Sequence, residues 1–314
     1  MDSFFLPFEI KPAVFNIKHG DHLLFLGSCF SNEISNKAAF YGFDVKADPF
    51  GTIFHPEVIA RNLADVIDQE NIKERIIERD DLFFSWDASG TLFSYNLEDL
   101  DLKLKQTRKE LLSSLSSAKV LFITFGTAWG YSLKENSLTV ANCHKVPNTS
   151  FEKQLASIDA LEQTWTNTIN KLKAFNKDVE LVFTVSPVRH TKDGVVENNQ
   201  SKAILIELVR RLTANQGVSY FPSYEIMMDE LRDYRFYKKD RVHPNEEAVE
   251  YIWGKFKETY LNEETMKICS KVGKIQQANQ HRSLYSESKE YLKFQEKNKR
   301  NLEELLKEFP NIKL

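Results

Sequence analysis

Cysteine is scarce. Cys29, Cys143 and Cys269 are the only three in 314 residues; their number is odd, their spacings are wide, and no Cys-x-x-Cys occurs. That pattern argues against a disulfide framework or a zinc ribbon and points to a reducing compartment. Long apolar runs are missing too, and none approaches the ~20 residues of a membrane-spanning helix. The opening MDSFFLPFEIKPAVFNIKHGD has no basic region leading into a long apolar one, so no secretory leader is expected. A cytoplasmic protein without membrane contact is the resulting expectation. Neither sign of charge dominates: 42 Lys and Arg stand against 45 Asp and Glu, for a net charge of −3. With no long basic run, nucleic acid is not an expected partner. No internal repeat or low-complexity linker breaks the chain.

What is present is a globular composition, 42% hydrophobic and 28% charged, with 23 Phe for a dense core. Short apolar runs alternate with helical patterns. HLLFLG (22–27) reads as a buried strand, followed by Phe30, Ile34, Ala38 and Tyr41 at helical spacing. PEVIARNLADVI (56–67) reads as a helix with Pro56 in its first turn. LFFSWDASGTLFSY (82–95) predicts a β-hairpin turning at Asp87–Gly90. A helix over 97–118 feeds a strand over 119–126, and a helix over 156–176 precedes a strand over 179–187. A helix over 201–217 stops at Gly217. A strand and turn follow over 218–227, then a helix over 245–261 capped by Asn245. This alternation predicts an α/β fold with a central parallel sheet covered on both faces. Residues 1–261 form the expected main domain. Residues 262–314 form a polar helical extension with a narrow apolar stripe, expected to dock on the domain.

In such a sheet, ligands bind beyond the carboxyl ends of the strands. Gly27-Ser28-Cys29 falls there. A nucleophile between strand and helix sits among free backbone N–H groups, which stabilise a thiolate and can hold an oxyanion. Gly27 lets the chain turn. Alone, the tripeptide is more often structural. The late loop KKDRVHPNE adds Asp240 three residues before His243, a spacing that lets a carboxylate orient an imidazole. Arg189 and His190 follow a strand end, where an arginine can clamp an anion or serve a surface ion pair. ANCHK groups Asn142, Cys143, His144 and Lys145. Adjacent Cys143 and His144 do not easily face one ion, so no metal is expected and a pocket role is considered. His55 either lines the pocket or starts the next helix. Trp86 and Trp129 are more naturally core residues than stacking platforms.

These segments, FLGSCFS, DPFGTIFHP (48–56), FGTAWGY (125–131), ANCHKVP (141–147), TVSPVRHTKDG (184–194) and FPSYEIMMDELRDYRFYKKDRVHPN (221–245), resemble the GSCFA family within the SGNH (GDSL-like) hydrolase superfamily. Ser31 stands where the family motif usually has Ala. The resemblance spans roughly residues 20–260. It implies a three-layer α/β/α, flavodoxin-like fold with the hairpin as an insertion. It also implies a hydrolase or acyl-transfer enzyme for esters or other acyl groups, such as an acylated carbohydrate, with no cofactor.

In the superfamily register, Gly27 takes the Gly place of the first block, Ser28 the Asp place and Cys29 the nucleophile's place. A shift of one residue would make Ser28 the nucleophile. Asp240 and His243 fill the Asp-x-x-His block. Gly51 stands for the second-block oxyanion glycine. Ala128 occupies the third-block Asn place and has no side-chain donor, so Asn142 is a candidate replacement. The implied partner is a small-molecule or glycan acyl substrate. A binding module on the same fold is the alternative, and a redox or acyl-carrier role for Cys29 is a weaker third, with no resolving cysteine beside it.

Overall fold

The computed structural model describes residues 6–69, 75–280, 284–285 and 288–314. The chain runs β1 (His22–Gly27), α1 (Cys29–Phe40), β2 (Asp44–Ala47), α2 (Pro56–Asp68), β3 (Ile76–Arg79), β4 (Leu82–Ser85), β5 (Phe93–Ser94) and α3 (Leu97–Ser117). It continues through β6 (Ala118–Phe125), β7 (Trp129–Leu133), β8 (Phe151–Leu155), α4 (Ile158–Phe175), β9 (Glu180–Val185), α5 (Val195–Leu212) and β10 (Val218–Tyr220). A single turn, α6 (Ser223–Glu225), is followed by α7 (Glu246–Tyr260), α8 (Glu263–Gln280) and α9 (Lys289–Glu308).

The central sheet is parallel and five-stranded, in the order β10-β9-β6-β1-β2. Its strands alternate between two apolar clusters, as the two-residue period of a strand dictates. Leu24, Leu26, Leu121, Ile123, Leu181 and Phe183 join one cluster with residues of α2, α3, α4 and α5. Leu23, Phe25, Val120, Phe122 and Val182 join the other with residues of α1 and α7. Helices therefore flank the sheet on both faces. Each fully buried Leu or Phe contributes roughly 1.5–3 kcal/mol, so this two-sided burial makes the sheet a rigid platform for its loops.

Several local expectations need adjusting. The predicted strand pairing over 82–95 exists as β4 with β5, but the connection is longer than a tight turn. The tight hairpin lies one strand earlier, between β3 and β4. Asp80 and Asp81, at its turn, both have positive φ (52° and 59°), the left-handed pair that a two-residue hairpin demands. α5 begins at Val195 rather than Ser201, released by Gly194 at φ 119°. It ends at Leu212, five residues before Gly217, because the Thr213–Asn215 N–H groups turn back onto Val209, Arg211 and Leu212. β2, four residues long at the sheet edge, and the β7–β8 hairpin have no expected counterpart. The Asn245 cap is present: its Oδ1 accepts from Ala248 N at 3.0 Å.

The C-terminal residues form the helix pair α8 and α9, sealed by Ile268, Val272, Ile275, Leu305 and Ile312. The chain then returns to the turn between α1 and β2, where Lys313 N donates to Gly42 O at 2.9 Å. Ile312 packs where a Cβ on Gly42 would lie, at 2.6 Å. Among the described residues, no helix is long and apolar enough to cross a membrane.

Candidate active site

The turn after β1 is built by close approach. Gly27 has φ 133°, and a Cβ there would collide with the Thr124 carbonyl of neighbouring β6. Only glycine fits. Two bonds lace the turn to the next loop and a third ties it to β6. Gly27 N donates to Asp48 Oδ1 at 2.7 Å, Ile53 N to Gly27 O at 2.9 Å, and Ser28 N to Thr124 O at 3.0 Å. The Asp48 Oδ2 is enclosed without a partner. Burial outweighs the bonds from Gly27 N and the Asn32 side chain and pushes this carboxyl up to about 8.

Ser28 and Cys29 then diverge. Ser28 is fully buried, its Oγ is enclosed without a partner, and it makes no side-chain cap bond to α1. Cys29 is the first residue of α1 and only partly buried. Burial raises its thiol, and Glu33 one turn along adds to that. Its own backbone N–H, that of Phe30 and the Lys202 ammonium act the other way.

The Asp240–His243 turn is closed on itself. Asp240 Oδ1 accepts from the backbone N–H groups of Val242 (2.9 Å) and His243 (3.0 Å). Its Oδ2 bonds His243 Nδ1 at 2.8 Å. These bonds hold the Asp240 carboxyl well below the usual carboxylate range. Asp240 thus engages Nδ1 of the imidazole and not Nε2. The loop is moored on two sides: Arg189 N donates to Val242 O at 3.3 Å, and Lys238 pairs with Glu33 of α1 at 3.2 Å. Cys29 and Val242 pack against the same apolar cluster. No hydrogen bond joins His243 to Cys29 among the described residues; catalytic hydrogen bonds often tighten only with substrate present.

His190 and Arg189 lie at the same strand ends. The His190 Nε2 is enclosed without a partner. Burial, chiefly, with help from Lys202 and His243, pushes the ring down to about 4. Its ring meets Phe54 edge-on at 5.0 Å. The Arg189 guanidinium lies 4.3 Å from the Tyr237 ring centre.

Other candidates sit elsewhere. The Gly51 N–H is already bonded to Asp48 O at 2.7 Å, and Ser89 Oγ fills the place of its missing Cβ. Ala128 is fully buried, its N–H bonded to Ser201 Oγ at 2.7 Å. Asn142 is exposed, 3.8 Å from where a Cβ on Gly90 would be, and its Oδ1 accepts from His144 N. His144 belongs to an aromatic annex. It stacks on Phe84 at 4.6 Å, lies 5.5 Å from Trp86, and bonds Ser85 O at 2.8 Å. His55 lines a separate cleft of about 440 Å³ with Glu57, Thr139 and Gln154. Among the described residues no group of three or more His, Cys, Asp or Glu could hold a metal ion.

Two residues of this region escape a reading by motif. Asp48 lies inside DPFG without any chemical signature of its own. Lys202 is fully buried on α5. The apolar stripe Leu205, Leu208, Val209 and Leu212, extended one turn back, lands on it, and that periodicity is the signal that finds it.

The profile described as the GSCFA family matches residues 22–256. The chain belongs to the GSCFA family. A second profile, the C-terminal domain of GSCFA domain proteins, matches residues 272–314. In this GSCFA chain that segment covers the end of α8 and all of α9. A search of the curated proteins returned no match.

Proposed function

We propose that the protein is a hydrolase or acyl-transfer enzyme acting on an ester or similar acyl group, on an SGNH-like three-layer fold. The observation that carries this reading is the Asp240–His243 pair, with a 2.8 Å carboxylate–imidazole bond on a loop moored to the helix that begins at Cys29. The sheet order β2-β1-β6-β9-β10 supports the fold assignment, being the doubly wound order 2-1-3-4-5.

Cys29 is the better nucleophile. Ser28 Oγ is walled off, whereas the Cys29 thiol sits at the mouth of a helix amino end. His243 removes the thiol proton while Asp240 holds the imidazole and stabilises its charged form. The thiolate attacks the acyl carbon, and backbone N–H groups at the start of α1 receive the oxyanion. His243 then protonates the leaving group, and water, or an acceptor alcohol in transfer, releases the acyl enzyme. Arg189 and His190 border the substrate's path. Gly51 serves by shaping the turn, since its own N–H is committed to Asp48.

The second reading is a ligand-binding module, favoured by the absence of a side-chain donor at buried Ala128. The test is hydrolysis of p-nitrophenyl acetate with peptide-mapped labelling. Turnover lost in Cys29→Ala, with iodoacetamide on Cys29 of the parent protein, supports the enzyme. A fluorophosphonate adduct on Ser28 would move the nucleophile. No turnover and no labelling at either residue would leave the binding module.

A further inference from the structure

Lys202 is a feature of this region that the acyl-transfer reading does not use. Its side chain is almost wholly buried, at 1% exposure. The Nζ donates to Gly126 O at 2.8 Å and to Ser186 O at 2.6 Å. Those carbonyls lie just past the ends of β6 and β9, which pair as far as Phe125 with Val185. Gly27 pairs with Thr124 on the other side of β6. The ammonium therefore sits one strand over from the turn that carries Cys29, and strands lie ~4.8 Å apart.

A buried cation needs a counter-charge, because two carbonyl dipoles do not neutralise it. Among the described residues, Lys202 has no carboxylate in ion-pair reach. The titratable groups facing it are Cys29 from α1, His190 from the loop before α5, and Tyr224, whose ring centre is 5.8 Å from Nζ. His190 disfavours a positive neighbour. Burial and Glu225 push the Tyr224 phenol up, whereas Lys202 acts to lower Cys29.

We infer that Lys202 is a positioning residue of this site, a buried amine beside the Cys29 turn whose ammonium and the Cys29 thiolate each favour the other's charge. It rests on the reading of Cys29 as nucleophile and adds to it a buried amine held at the neighbouring strand ends. Burial brings the two groups toward each other, raising the thiol and lowering the ammonium to about 7. Coupling of this kind is reciprocal.

The experiment is the pH profile of iodoacetamide alkylation at Cys29, read by peptide mapping in the full chain. Cys143 and Cys269 serve as internal references. Lys202→Met should move the Cys29 inflection up, slowing alkylation below that inflection about tenfold for each pH unit it moves. Lys202→Arg should keep the parent profile or shift it lower. A profile unchanged in Lys202→Met, or raised equally in Lys202→Arg, makes Lys202 a neutral strut and overturns the inference. If Lys202→Met does not fold, Lys202→Arg decides, with a second measurement. Cys29→Ser should move acetic anhydride labelling of Lys202 to lower pH, and no movement overturns the proposal. Turnover separates the two levels. Activity lost in Cys29→Ala with no Lys202 effect leaves the acyl-transfer reading standing alone. Activity kept in Cys29→Ala sinks that reading, while alkylation still tests the pair.

Discussion

Two cysteine–histidine pairs differ in what surrounds them, and the difference lies in the groups that could stabilise a charge. Cys143 and His144 are neighbours in sequence. Cys29 and His243 are 214 positions apart. Yet His144 is buried between Phe84 and Trp86 with its Nε2 committed to Ser85 O. No carboxylate orients it among the described residues, and burial lowers its basicity. His243 is partly exposed and held at Nδ1 by Asp240. Cys143 is raised by burial with only Lys192 opposing, whereas Cys29 has two backbone N–H groups and Lys202 on its side. What separates the regions is a set of groups that stabilises charge when a proton moves.

The sharpest way to break this comparison is turnover. His243→Ala should lower ester hydrolysis by about 10²–10⁴-fold, the range of a positioned proton-transfer group, and Cys29→Ala, which removes the nucleophile, should lower it at least as far. Cys143→Ala should leave kcat/KM unchanged. A chain in which Cys143→Ala is the inactive variant would reverse the assignment of the two regions.

Stability should rank the regions the other way. His144 is buried, stacked and hydrogen-bonded, so His144→Ala should cost about 1–3 kcal/mol in urea unfolding. His243 stands at the surface, and His243→Ala should stay within about 0.5 kcal/mol. Equal costs would mean that the Asp240 turn is a structural clamp as much as a site.

Much of the scaffold was legible in the amino-acid order. β1 is bounded as HLLFLG predicts, and α2, α3, β6, α4, β9 and α7 fall within a residue or two of their expected ends, because each is a strong apolar pattern with a cap or breaker. β2 and the β7–β8 hairpin were not. DVKA is short and mixed, and FEKQL is held by pairing with Trp129–Leu133 rather than by its own propensity. The extension is helical as expected over α8 and α9, but the seating of Asn311 and Ile312 on Gly20 and Gly42 depends on contacts between distant segments. At the site, adjacency within ANCHK suggested a role for His144 that its ring contacts do not place beside Cys29. Lys202 stayed hidden because one lysine on an amphipathic helix normally faces water. Asp48 stayed hidden because its role, accepting the Gly27 N–H, is a backbone contact.

The smallest expected effect is a difference in acid sensitivity. His144 has a folded-state pKa below its unfolded value of about 6.5, because burial disfavours the charged ring. The folded protein thus binds fewer protons at that site than the unfolded chain. Stability tied to His144 is complete above about pH 6.5 and is lost as pH falls through that value toward the folded pKa. His55 and His190, pushed down to about 4, act in the same direction over the same range. Asp240 is also depressed, but from 3.8, so its contribution is complete above about pH 4 and fades only below that. Between pH 6.5 and 4.5 the annex should therefore loosen while the Asp240 turn keeps its bonds. Hydrogen exchange should show protection at Trp86 N and Ala141 N, which the annex holds through Arg75 O and Trp86 O, falling over that interval. Lys238 N and Val242 N, in the late loop, should not follow. His144→Gln, which cannot take up a proton, should flatten part of the fall. Parallel loss at both places would mean that the two regions open as one unit, and that the contrast in their chemistry is not matched by independence in their folding.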